Sequence, residues 1–149
     1  MQTTAMLSLA LTLGAPALKE SPAKDQDIVG EWVVESTQVV GRPAPALRET
    51  MRYEFRADGK WLVYREGQRA TANMERGYTT NPKADPPTID FILDASDQER
   101  PMRPGIYKLE GNTLTLCIGR RGKPRPTSFD VSTESPGTVY VLKRAKAKD

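Results

Sequence analysis

From Asp27 onward this 149-residue chain breaks into short runs in which bulky and polar side chains alternate, each ended by Gly, Pro, Asn or Asp. Alternation with period two buries one face of a strand, and runs this short leave no room for a helical stripe. The first run, Glu31 to Gln38, sets Trp32, Val34 and Ser36 on one face and Glu31, Val33 and Glu35 on the other. Met51 to Phe55 and Lys60 to Arg65 flank Asp58 and Gly59, a pair suited to the positive φ angles of a tight hairpin. Further segments follow near Asn73 to Thr79 and at Thr88 to Leu93, the latter behind Pro86 and Pro87. Ile106 to Leu109 and Thr113 to Ile118 flank Gly111 and Asn112, which predicts a second hairpin. A weak segment, Thr127 to Val131, and a strong one, Thr138 to Lys143, complete the series. Only Ala44 to Thr50 admits a short turn of helix, and Pro43 and Pro45 limit its start.

This pattern predicts an all-β chain: a single antiparallel up-and-down β-barrel of about eight or nine strands. Sequential strands joined by tight turns favour a meander, and closing it removes the exposed edges that template aggregation. A barrel of about eight strands is either filled by its own side chains or holds one small ligand. The side chains expected to line it are Tyr53, Phe55, Trp61, Val63, Tyr78, Phe91, Tyr107 and Leu116. The long first connection, Val39 to Thr50 with Gly41, Pro43 and Pro45, is the expected lid over its open end.

Composition narrows the chemistry. The chain has no histidine, which removes the usual catalytic triads, the usual general base near neutral pH and the commonest metal ligand. No enzyme, cofactor or metal site is expected. The lone Cys117 lies in the apolar run Thr113 to Ile118, where a buried strand thiol is the ordinary outcome. A net charge of +3 is too small to point to nucleic acid. Four cations, Arg120, Arg121, Lys123 and Arg125, fall in one Gly- and Pro-punctuated loop and form a candidate contact for an anion or a partner. A solvated loop is the plainer reading of the same charges. Asp94, Asp97 and Glu99 cluster in another connection, but their spacing matches no calcium loop.

The first residues, Met1 to Ala17, carry no charge, and the apolar stretch Ala5 to Leu13 is too short to span a bilayer but suits a signal-peptide core. Ala15-Pro16-Ala17 and Ser21-Pro22-Ala23 each offer a small-x-small cleavage pattern, although the stretch lacks the usual leading Lys or Arg. Residues 1–23 are therefore expected to be a signal peptide and short linker, 27–144 the barrel, and 145–149 a frayed charged tail. The mature chain is expected outside the cytoplasm, periplasmic or secreted, with no transmembrane anchor and no nucleic-acid partner.

Gly30-Glu31-Trp32 at the head of the first strand resembles the Gly-x-Trp signature of lipocalins. The resemblance implies that Trp32 plugs the closed end of the barrel and that Arg144, or less readily Lys143, lies across its face. Such a contact is favourable in its own right, as a cation over an indole. Gly105 to Leu114, Leu116-Cys117, Lys123 to Thr127 and Val139 to Arg144, with Gly41-Arg42-Pro43 and Thr88-Ile89-Asp90, are together similar to an uncharacterised lipocalin-like domain family abundant in planctomycete bacteria. Lipocalins proper carry a long helix after the barrel and a second motif before the seventh strand, and neither is recognisable here. The family implies the fold and an export signal but no activity. The expected function is a binding module that takes a small apolar ligand into the barrel. The alternative is a solid-cored module that contacts an envelope protein or polymer through Arg120, Arg121, Lys123 and Arg125.

Overall fold

The computed structural model describes residues 26–39, 42–43, 50–69, 75–92, 103–133 and 136–146. A single 3-10 turn, Gln26–Ile28, precedes nine strands: β1 Gly30–Val39, β2 Arg42–Pro43, β3 Met51–Phe55, β4 Lys60–Arg65, β5 Arg76–Asn81, β6 Thr88–Ile92, β7 Arg103–Glu110, β8 Thr113–Gly119 and β9 Gly137–Arg144. Each of β3 to β9 pairs antiparallel with the next, β1 pairs with β3, and β1 also pairs with β9. β2 hangs on the far end of β1 through Gln38↔Pro43 and Val39↔Arg42, so the remaining eight strands form a closed up-and-down barrel. No α-helix occurs among the described residues.

Up-and-down order sorts the connections between two ends. The short ones, after β3, β5 and β7, share one end with the 3-10 turn and the last residue of β9. The long ones, 40–50, 66–75, 93–102 and 120–136, all fall at the other. At the short end Trp32 is fully buried and its Nε1 donates to the Ile28 carbonyl at 2.8 Å. Arg144 stacks its guanidinium 4.3 Å from the Trp32 ring centroid and donates to the carbonyls of Asp27 (2.7 Å) and Val29 (3.2 Å). Gly30, between them, has φ +130°, and a Cβ there would meet Arg144 Nη1 at 3.3 Å, so glycine is required twice over. Pairing continues one residue past β9, where Ala145 N–H donates to the Glu31 carbonyl, so the charged tail begins only after that residue.

A β-bulge between Val34 and Ser36 changes which side chains of β1 face inward. Trp32 and Val34 belong to the core as the alternation predicts, but Ser36 is exposed and Thr37, opposite Tyr140, takes the inner face. The extra residue of a bulge shifts a period-two pattern by one, which is why Ser36 was expected on the wrong side. The weak segment Thr127 to Val131 is not a strand. It belongs to a strap that crosses the outside of β7, β8 and β9. There Val131 and the partly buried Phe129 close a second apolar cluster with Ile106, Cys117 and Val139. Gly119 and Gly137 are cross-strand partners beneath it. A Cβ on Gly119 would sit 2.9 Å from the Pro104 carbonyl oxygen and 3.0 Å from Pro126, and one on Gly137 3.5 Å from Val131. The short helical turn expected at Ala44 to Thr50, apart from Thr50 itself, and the stretch 1–23 expected to be an export signal lie outside the described residues.

Replacing Arg144 with Ala removes a ring contact and two charge-assisted bonds to carbonyls, and is expected to cost about 2 kcal/mol. A urea midpoint unchanged from wild type would show that the plug does not need its cover.

Candidate functional site

All eight side chains expected to line the barrel face inward. Tyr53, Phe55, Tyr78, Phe91, Tyr107 and Leu116 are buried in the main core, and the partly buried Trp61 and Val63 pack against it. Their rings meet across the interior. Phe55 on β3 contacts Tyr78 on β5 (5.1 Å between centroids, edge-on), and Trp61 on β4 contacts Phe91 on β6 (4.6 Å, edge-on). Such tilted and edge-on pairs are the favoured aromatic geometry. Contacts between strands that are not neighbours mean that the half of the barrel next to the plug is filled. Two of its polar side chains are matched: Tyr78 Oη donates to the Arg56 carbonyl at 2.8 Å, as Trp32 does to Ile28.

Around Tyr53 the inner face changes character. Tyr53 lies 5.7 Å from both Trp61 and Tyr140, centroid to centroid, and Thr37 is paired with Tyr140 on β1. Trp61 Nε1 and Thr37 Oγ1 are both buried and have no hydrogen-bond partner. Burial, and after it the neighbouring Tyr140 phenol, pushes the Tyr53 phenol well above its usual range, while the charge of Arg103 acts in the opposite sense. Arg103 opens β7, far around the ring from β3. Thr37, Tyr140, Tyr53 and Trp61 thus meet on one stretch of the inner face, with Arg103 on the same face at the start of β7.

Of these, Tyr53 and Trp61 were legible as lining. Tyr140 follows the same alternation as Leu142 and was open to the same reading. Thr37 was hidden by the bulge. Arg103 was missed because β7 begins three residues before the apolar run that marks it, and only its register with Phe91 shows which way it turns.

The structure divides the four cations of the basic loop. Arg120, Arg121 and Lys123 are exposed on a turn closed by Lys123 N–H donating to the Arg120 carbonyl. Arg125 turns back onto the sheet. Its Nη1 donates to the Gly105 carbonyl at 2.8 Å and stands 2.7 Å from Asp90 Oδ1, an ion pair without the geometry of a hydrogen bond. Arg125 therefore fastens the strap. A surface crevice of about 290 Å³ lies beside it, lined by Lys123, Pro124, Arg125, Pro126, Thr127, Thr133 and Pro136. The thiol of Cys117, beneath the strap, is buried and its pKa is raised by desolvation. Asp94, Asp97 and Glu99 lie outside the described residues. No cluster of His, Cys, Asp or Glu able to hold a metal occurs among the described residues, and no described helix is long and apolar enough to cross a membrane.

Comparison with protein-family models, with curated proteins and with solved structures finds no match to this chain.

Two measurements check this geometry. If Arg125 holds the strap over Cys117, Arg125→Ala should speed labelling of the thiol by a disulfide reagent about tenfold, through easier local opening. An unaltered rate would assign the strap's hold to its apolar contacts alone. A buried tyrosine whose pKa is raised keeps its proton in the folded chain where the unfolded chain loses it. Stability should therefore fall as pH rises above about 10, and Tyr53→Phe should flatten that part of the slope.

Proposed function

We propose that this protein is a non-catalytic binding module that takes a small, largely apolar ligand into the open half of its barrel. The reading rests on one observation: Trp61 Nε1 and Thr37 Oγ1 are buried on the inner face without partners, on either side of the Tyr53–Tyr140 pair. Leaving a buried polar atom unmatched costs about 1–3 kcal/mol, and a ligand that supplies the missing partner recovers it. Tyr53, Trp61, Tyr140 and Val63 offer faces for an apolar body, while the polar atoms of Trp32 and Tyr78 are already matched. Ligand sites are commonly of this kind, mostly apolar with a few placed polar groups. The uncharged N-terminal stretch with its two cleavage patterns supports the view that the module works outside the cytoplasm, and the lipocalin-like signature supports the same class of function.

A second reading has its own observation. Arg120, Arg121 and Lys123 are presented together at the tip of the strap, beside the crevice of Pro124 and Pro136. That surface suits an acidic envelope polymer or protein.

N-phenyl-1-naphthylamine, an uncharged probe that brightens in apolar surroundings, separates the two. Saturable binding at one site per chain is expected. It should weaken at least about tenfold in Thr37→Phe, which fills the interior at the level of Tyr140. Absence of saturable binding, or binding indifferent to Thr37→Phe, would leave the strap as the working surface.

A further inference from the structure

Trp61 restricts the chemistry of what can bind beside it. An indole N–H donates and cannot accept, so the group its buried Nε1 lacks is an acceptor and nothing else. None of the described residues supplies one. The ring is packed between Tyr53 (5.7 Å between centroids) and Phe91 (4.6 Å, edge-on), and a ring face is at best a weak acceptor. No Asp or Glu takes an inner position on the described strands: Glu31, Glu54 and Asp90 turn outwards to Arg52, Arg56 and Arg125. Packing on both sides also holds the indole in place, so its N–H cannot swing round to find a partner elsewhere.

The inner face around this indole is accessible. Side chains on the inner wall of a barrel are reached from its interior or its rim. Val34 and Thr37 on β1, Tyr140 on β9, and Trp61 and Val63 on β4 all keep partial exposure around Tyr53, whereas Trp32, Leu116 and Leu142 on the same wall are buried completely. Whatever lies against these side chains must be apolar, and its polar group is constrained further. A hydroxyl or an amine would accept from Trp61 but would bring a donor of its own to be satisfied. An anion would exchange its hydration for an N–H and a hydroxyl that are both neutral, a costly transfer. A carbonyl brings an acceptor, no donor and no charge. Thr37 Oγ1 both donates and accepts, so it is compatible with the same group and sets no limit of its own.

We infer that the ligand is an uncharged apolar molecule bearing a carbonyl group, whose oxygen accepts from Trp61 Nε1 while its body lies against Tyr53, Tyr140 and Val63. This rests on the binding reading above and specifies the class of ligand, with Trp61 as the residue that selects it.

The test uses two uncharged probes with one skeleton: 6-propionyl-2-(dimethylamino)naphthalene, whose ketone is an acceptor, and 6-propyl-2-(dimethylamino)naphthalene, which lacks the ketone. Trp61→Phe keeps an aromatic ring and removes the N–H. It should weaken binding of the ketone about tenfold, the scale of one hydrogen bond, and change binding of the propyl probe by less than about threefold. A second readout needs no variant. The chain has two tryptophans, so the isotope-labelled protein gives two indole N–H signals by NMR. The ketone should move one of them downfield, as a new hydrogen bond does, and leave that of Trp32, already bonded to Ile28, in place. The propyl probe should move neither downfield. Probe binding without that downfield shift, or with no greater loss for the ketone in Trp61→Phe, would overturn the inference and leave the binding reading standing. Binding of the propyl probe alone would do the same. Binding of neither probe would overturn both.

Discussion

The antiparallel pairing of β1 with β9 is the interaction on which the rest of the molecule depends. Without it the meander is an open sheet whose first and last strands expose unpaired backbone groups, and the inner face has no opposite wall to pack against. Seven residue pairs, from Trp32↔Arg144 to Val39↔Thr138, make the seam. Its lower end is fixed by side chains rather than by a turn. Trp32 bonds to the 3-10 turn, Arg144 covers the indole and ties down the carbonyls of Asp27 and Val29, and Gly30 leaves room for it. One arginine thus joins the last strand, the first strand and the turn before it, residues 115 and 117 positions apart in the chain.

Closure then allows the outside of the sheet to be used as well as the inside. In a barrel of this size the inner face alone supplies one core, yet β7, β8 and β9 bury side chains on both faces. Ile106, Cys117 and Val139 lie outside the ring, covered by Val131 and Phe129. The strap reaches them because Gly119 and Gly137, adjacent across β8 and β9, present no side chain where it crosses. Arg125 secures it by taking the Gly105 carbonyl and the Asp90 carboxylate. A near-continuous apolar run such as Leu114 to Ile118 is what a strand buried on both faces requires.

What could be read from the sequence follows from this arrangement. Alternation found the inner residues correctly from Tyr53 to Leu116, because each lies in a short run whose ends are marked by turn residues. It failed where geometry departs from strict period two or where contacts are long-range. The bulge in β1 moved Thr37 inward in place of Ser36. The strap resembled a weak strand at Thr127 to Val131 because Val131 is as buried as a strand residue, although its burial comes from packing flat on the sheet. Arg125 looked like its neighbours Arg121 and Lys123, and nothing local distinguishes a cation that will meet Asp90, 35 positions earlier. The inward Arg103, at the start of β7, was illegible for a similar reason. A terminal residue has no apolar neighbour beyond it to declare its face, so only pairing with the next strand settles it.

The two tryptophans carry a contrast within the inner face. Both are on the inner face and each has one N–H to place. Trp32 meets a carbonyl at 2.8 Å, while Trp61, between Tyr53 and Phe91, meets none. A core under selection for stability alone gains nothing from an indole at the second position, since a phenylalanine would supply a similar apolar face with no N–H to satisfy. The same holds for Thr37, where valine has nearly the same shape and no hydroxyl. Two such departures, joined through Tyr53 and Tyr140, break local packing rules in one place, and rule-breaking of that kind concentrates where a chain does something other than fold.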